Sequence, residues 1–298
     1  MIIVILVAIF ALEFVYTVTA TRATVGQQFK FYIDETVSAD TEEFYSTLDY
    51  KISENGKTFS YDVLSLSAET LTSSNNMLSA RLSIQEGDVI FTDASTSGDN
   101  GSSRAKTIVD DCPIYTLDKL LSDAENYLSD FMSGGELDDE LIISHFNERM
   151  KHDNRFRSEK EKEIGRSLEI ERIYKLRNEV KDFRKILSSE NENLFFRYTK
   201  YEYISSEKPN DSYYQKMYEK EISEGRISAR YGINISELTY DAVGKTDVSR
   251  FFRSQNTGTA EGVVVMVFDF LQYQPDLQFE TISFINSIFR TCSNFLDD

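Results

Sequence analysis

Tryptophan is absent from this chain of 298 residues, and cysteine and histidine occur only twice each. Cys112 and Cys292 allow at most one disulfide, which the sequence cannot pair, and two buried thiols are the expected state. His145 and His152 stand seven residues apart. On a helix they would share a face but lie about 10 Å apart along its axis, too far to share one metal. No C-x-x-C or H-E-x-x-H spacing occurs, so no zinc site is expected. Asp93, Asp99 and Asn100 do not fit the spacing of a calcium-binding helix–loop–helix, which leaves only a loosely held calcium open. Basic charge is scarce: 32 Lys and Arg face 50 Asp and Glu, a net charge of −18. That balance excludes a phosphate-backbone partner, because nucleic-acid binders present basic faces. No G-x-S-x-G, Walker or dinucleotide-binding pattern is present. Ser103-Arg104-Ala105-Lys106 matches the S-x-x-K spacing of a serine nucleophile, but it reads as loop and lacks S-D-N and K-T-G companions. The chain therefore reads as non-enzymatic, with no cofactor and no metal.

What is present begins with an apolar run. Residues 1–12 carry no charge, Glu13 interrupts, and Phe14-Val15-Tyr16-Thr17-Val18 resumes. Residues 2–18 are just long enough to cross a bilayer, at a cost of about 2–3 kcal/mol if Glu13 sits centrally. Alternatively, residues 2–12 are the core of a signal peptide with Val18-Thr19-Ala20 as its cleavage site. Both readings make residues 1–20 an anchor or signal and put the rest of the chain outside the cytoplasm. A buried core segment is the third reading. No Lys or Arg precedes the run, which hints that the true start lies upstream.

Next comes an alternation of strands and helices. Residues 28–34 alternate as a strand. Asp40 or Ser38 can cap a helix with Glu42 and Glu43 in its first turn and Phe44, Leu48 and Ile52 on one face, ended by Asn55-Gly56. Residues 58–66 read as a second strand. Ser73 or Ser74 caps a second helix carrying Met77, Leu78 and Leu82, Gly87 stops it, and residues 88–92 form a third strand. Strands separated by helices of this length run parallel, and ligands of such sheets sit beyond the strands' carboxyl ends. The candidate ligand-binding residues are Asp34 and Thr36 after the first strand, Ser65 and Ser67 after the second, and Thr92, Asp93 and Ser95 after the third. Asp88 and Asp93, an odd number of residues apart, fall on opposite faces and cannot pair. Asp93 has a plainer alternative role, capping the amides of its own loop.

Residues 96–103 read as a loop. Residues 113–118 lead into a helix running to Met132, and Gly134-Gly135 breaks the chain. Residues 137–187 read as two or more helices. In the last of them Ile173, Leu176, Val180, Phe183 and Leu187 form a heptad-like stripe, either a partner-binding seam or the buried face of a helix in its own domain. Residues 194–204 alternate as an aromatic strand, 213–222 as a helix, and "RISARYGINISEL" as a helix end at Tyr231-Gly232 with a new start at Ser236. Residues 263–270 form the most apolar strand, and Pro275 with Asp276 opens a final helix.

The segments "TFSYDVLSLS", "RLSIQEGDVIFTD", "PIYTLDKLLSDAENY" and "YGINISEL" together resemble the type II periplasmic solute-binding proteins. More narrowly, they are similar to the membrane-anchored, solute-binding-like proteins of Gram-positive bacteria. The resemblance covers residues 25–132 and 226–296. It implies an α/β, type II periplasmic-binding-protein-like fold: a parallel-sheet first lobe (21–110 and 226–298), a helix-rich second lobe (111–225) and the N-terminal hydrophobic segment. It also implies an extracytoplasmic, membrane-tethered protein of the cell membrane that recognises a small-molecule solute without catalysis, in transport, with an ABC permease as partner. The chain departs from the family in its helical 137–187 region and in lacking the Trp on which sugar-binding members stack their ligands. Those departures point to the alternative, a cell-surface structural or interaction protein with an envelope protein as partner.

Overall fold

The computed structural model describes residues 28–48, 65–70, 87–95, 103–151, 158–199, 216, 229–238, 240, 244–269 and 275–296. Ten strands and six helices occur among them. In chain order these are β1 (Gln28–Ile33), β2 (Val37–Ala39), α1 (Thr41–Thr47), β3 (Ser65–Thr70), β4 (Val89–Asp93), α2 (Arg104–Asp111), α3 (Leu117–Ser129), β5 (Met132–Ser133) and β6 (Glu136–Leu137). After them come α4 (Asp139–Met150), α5 (Glu159–Leu187), β7 (Phe195–Tyr198), β8 (Ala229–Asn234), β9 (Phe252–Ser254), β10 (Val263–Val267) and α6 (Pro275–Cys292).

The main sheet has the order β3-β1-β4-β10-β8-β7. β3, β1 and β4 are parallel, as the sequence pattern requires. β10, arriving from late in the chain, pairs antiparallel with both β4 and β8, and β7 pairs antiparallel with β8. The protein is thus a mixed α/β fold on a mixed sheet. Alternation along the strands sorts side chains into two layers. Phe29, Phe31, Ile33, Val89, Phe91, Val263, Val265 and Val267 belong to the larger core, with α1, α3, α5 and α6. Tyr32, Ile90, Val264 and Met266 belong to a smaller core shared with Ala105, Ile108 and Val109 of α2.

Side-chain chemistry sets the helix ends. Asp40 caps α1, accepting from the Glu43 amide at 3.1 Å, and α1 stops at Thr47, two turns in all. The hydroxyls of Ser46 and Thr47 both turn back onto the Glu43 carbonyl, which competes with helix continuation. Leu48 therefore caps the helix instead of lying within it, and Ile52 is outside the described residues. Ser158 and Glu161 form a capping box at the start of α5. This helix, 29 residues and about 43 Å long, carries the expected stripe. Ile173, Leu176, Val180, Phe183 and Leu187 are all buried in the larger core, so the stripe packs within its own fold. The described part of 111–225 accordingly shares one continuous core with the flanking segments.

Two expectations shift. The second strand is described as β3 at Ser65–Thr70, running four residues past the expected end at 66; residues 58–64 lie outside the described residues. "ARYGIN" is strand β8, not a helix end. The Tyr-Gly pair suggested a cap, but Gly232 is there for close approach: a Cβ would lie 2.7 Å from the Val265 carbonyl oxygen of β10. The short β2–β9 ribbon and the β5–β6 hairpin were not anticipated. The expected helices at 73–86 and 213–222 (Lys216 apart), and the loop at 96–102, lie outside the described residues, as does the apolar run at 1–18. Among the described residues no helix is long and apolar enough to cross a membrane. Cys112 and Cys292 are buried thiols with no disulfide between them, one in each core.

Candidate functional site

The carboxyl ends of β1 and β4 meet at one edge of the sheet, and five of the seven candidate residues lie there. They divide between the two faces. Asp34 continues β1 on the α2 side. Its carboxylate is 1 % exposed and accepts from Arg104 Nε at 3.2 Å and Nη2 at 3.1 Å, from Thr36 Oγ1 at 2.7 Å and from Thr92 Oγ1 at 3.4 Å. Arg104 opens α2, so the helix that covers this face also brings the cation that neutralises Asp34. A buried carboxylate needs a cation or a set of hydrogen-bond donors, since burial without either costs several kcal/mol.

Asp93 ends β4 on the opposite face and is fully buried. Oδ1 accepts from the Ser95 amide at 2.7 Å, while Oδ2 accepts from Ser254 Oγ at 2.5 Å and Asn256 Nδ2 at 2.8 Å. Among the described residues no Lys or Arg pairs with Asp93; neutral donors hold it. The Ser95 bond is the loop cap foreseen as the plainer role. Ser254 closes β9, which Phe252 anchors by stacking on Phe91 with ring centres 4.6 Å apart. The turn after β9 is also fastened to the β1 loop, by the Gln255 amide to the Thr36 carbonyl at 2.9 Å. Gly262 backs the cluster at φ +86°, and a Cβ there would lie 2.8 Å from Asp93 Oδ1. The chain's own loop at 254–262 therefore supplies the donors to Asp93 Oδ2.

Ser65 and Ser67 are not part of this group. They open β3 and register with Gln28 and Lys30, so Ser65 sits roughly 16 Å along the strand from the Thr70 end. Because β3 runs on to Thr70, beside Ile33 at the end of β1, they lie away from the expected carboxyl edge. Asp88 also lies at that far end, where its Oδ2 accepts from the Lys30 amide at 2.6 Å. Burial pushes its carboxyl up to about 7, against the lowering effect of the Lys30 amide and charge, and Glu280 adds to the rise. Asp88 and Asp93 do fall apart as their odd spacing requires.

Ser103 is not in a loop: it is the N-cap of α2, its hydroxyl accepting from the Lys106 amide at 3.4 Å. Lys106 Nζ lies 6.0 Å from the centre of the Tyr198 ring, on the α2 face that Tyr198 packs against. His145 packs on Phe131 with ring centres 5.0 Å apart, and His152 is outside the described residues. Beside the carboxyl edge, α1 and the β2–β9 ribbon border an open polar recess of about 840 Å³ whose charged lining includes Asp40, Glu42, Glu43, Arg250 and Arg253. Arg250 pairs with Glu43 at 2.8 Å.

Sequence reasoning missed Arg104, Ser254, Asn256 and Gly262. Arg104 lay inside the S-x-x-K quartet but was not connected to Asp34, 70 residues away. "SQNTG" carried a turn signal, and nothing in it pointed to Asp93. No protein-family model, curated protein or solved structure matches this chain.

Proposed function

We propose that this is an extracytoplasmic, membrane-tethered, solute-binding-like protein that recognises a small molecule without catalysis, on a type II periplasmic-binding-protein-like lobe. The observation that carries the reading is the sheet: three parallel strands, joined by one antiparallel strand returning from late in the chain, with polar side chains gathered at the parallel strands' carboxyl edge. Open α/β sheets bind ligands at that edge. The polar recess beside it offers both signs of charge to a solute. Residues 1–20 supply the membrane tether in this reading, and an ABC permease is the matching partner. A thermal-shift screen of the full chain against sugars, amino acids, short peptides and metal ions tests it. Stabilisation by one class, reduced by Arg253→Ala at the recess, is the expected result; no response to any class would overturn it.

A second reading is a surface interaction protein on a degenerate scaffold, partnered by an envelope protein. The hold of the chain's own Ser254 and Asn256 on Asp93 Oδ2 favours this reading, because a solute seeking that oxygen would have to displace them. The buried stripe of α5 does not contribute a docking face to it. Cross-linking in the intact envelope, giving one defined protein adduct alongside a silent solute screen, would select this reading over the first.

A further inference from the structure

A cavity of about 310 Å³ opens beside the carboxyl ends of α5 and α6, and it shares no residue with the carboxyl-edge cluster or the polar recess. Ser189 lies just past the end of α5, and Cys292 closes α6. Leu194, Leu238, Phe289, Cys292 and Phe295 supply its apolar wall. The first four are buried, and Phe295, 38 % exposed, stands at the mouth. Burial pushes the Cys292 thiol up to about 11, which keeps it neutral. The volume falls at the lower end of the roughly 300–1,000 Å³ typical of small-molecule sites.

Two open helix ends would give this place a negative field. Here the chain closes both. The Leu187 carbonyl, last of α5, accepts from Arg230 Nη1, and the Ile186 carbonyl accepts from the Ser189 amide at 3.0 Å. On α6 the Arg290 carbonyl accepts from Lys245 Nζ at 2.9 Å, and the Thr291 carbonyl accepts from the Thr246 amide at 2.9 Å. The charged side chains nearby are matched as well: Arg290 by Glu179 and Asp182, and Arg184 by Glu125. Lys185 Nζ, 5.5 Å from the centre of the Phe295 ring, already takes that ring face. Among the described residues Glu237 alone brings a charge into the lining, and Lys185, Arg230 and Lys245 stand at the helix ends to balance it. Glu237 Oε2 receives a long 3.4 Å bond from Asn191 Nδ2. An acceptor and a donor thus stand side by side in the lining, a pair that one hydroxyl can meet by donating to the carboxylate and accepting from the amide. An ammonium can only donate there, and a carboxylate can only accept.

We propose that this cavity binds a compact neutral molecule, an aromatic or alicyclic body bearing a hydroxyl. The body lies against Leu194, Leu238 and Phe289. The hydroxyl donates to Glu237 and accepts from Asn191 Nδ2. An ion of either sign would shed hydration in a place whose charges are already matched, and it would recover little in return.

Isothermal titration of the full chain with 2-phenylethanol tests this, with 2-phenylethylammonium and phenylacetate as its charged counterparts. The expected result is saturable binding of the alcohol, with each ion at least about fivefold weaker. Glu237→Ala should weaken the alcohol by about threefold and leave ethylbenzene, which has no hydroxyl, unchanged. Leu238→Phe fills the space and should weaken the alcohol by at least about tenfold, with an unfolding midpoint no lower than the parent's. Should that variant unfold, Phe295→Ala removes the exposed part of the wall and should give about a threefold loss. Arg253→Ala, in the polar recess, should leave the alcohol's affinity unchanged. Binding of either ion as tight as the alcohol's, no saturable binding of the alcohol, indifference to Glu237→Ala and to the wall variant, or a loss caused by Arg253→Ala would each overturn the proposal.

Discussion

Replacing Asp93 by Asn tests how the carboxyl edge is held. The change keeps the shape and keeps Oδ1 as acceptor for the Ser95 amide at 2.7 Å. It turns the other oxygen into an amide donor that faces the Ser254 hydroxyl and Asn256 Nδ2. Ser254 cannot reverse its bond. Its Oγ already accepts from the Asn256 amide at 3.0 Å and the Thr257 amide at 3.2 Å, which uses both lone pairs. Asn256 can flip its side-chain amide and recover one partner. The net loss is therefore one or two hydrogen bonds to a charged group, about 2–4 kcal/mol. A chain of this size shifts its unfolding midpoint by roughly 2–4 °C per kcal/mol, so a fall of roughly 5–15 °C is expected in thermal unfolding followed by near-ultraviolet circular dichroism. A double-mutant cycle with Ser254→Ala should show coupling of about 1–3 kcal/mol. The opposing effect is relief of a buried charge, which favours Asn. An Asp93→Asn protein as stable as the parent, with no coupling to Ser254, would refute the view that neutral donors fix this carboxylate.

Arg104→Gln leaves Asp34 buried without its cation and should cost about 3–5 kcal/mol in urea unfolding; a loss under about 1 kcal/mol would mean that Thr36 and Thr92 suffice. Asp88 has its folded pKa raised to about 7, so its neutral form stabilises the fold fully below pH 4 and that contribution is lost as pH rises from about 4 through 7. Stability measured across that window should therefore fall relative to Asp88→Asn by an amount on the order of a few kcal/mol, and parallel profiles would contradict the raised value. Leu176→Ala removes a buried side chain of the α5 stripe and should destabilise by about 2–5 kcal/mol without changing the oligomeric state by light scattering. A change of oligomeric state at unchanged stability would return the stripe to partner binding.

Some features were legible because they depend on neighbours in sequence. The β1 and β4 strands follow from alternation of Phe29, Phe31 and Ile33 and from the pulse Val89-Ile90-Phe91. The start of α1 follows from Asp40, which accepts the amide three residues on. Parallel pairing of β1, β3 and β4 followed from the length of the intervening segments. β8 was misread because Gly232 answers to the Val265 carbonyl of another strand, a contact that no local pattern carries. Ser65 and Ser67 were misplaced because strand register is a pairing property, and the run of β3 on to Thr70 leaves them away from the carboxyl edge.

The sequence by itself determined the acidic balance, the polar termini of β1 and β4, and the apolar faces that build two cores on one sheet. These are consequences of residue type at a spacing of two or of three to four. Only the tertiary structure decided the partners of the carboxylates. Arg104 reaches Asp34 because α2 folds back over the α2-facing side of the sheet, and Ser254 and Asn256 reach Asp93 because β10 returns beside β4 and carries the preceding loop to that edge. Such contacts span from 70 to 163 residues, and chain connectivity places no constraint on them until the sheet order is set. The convergence of the α5 and α6 carboxyl ends around one cavity has the same origin: each helix end is written locally, and their meeting is a property of the packing.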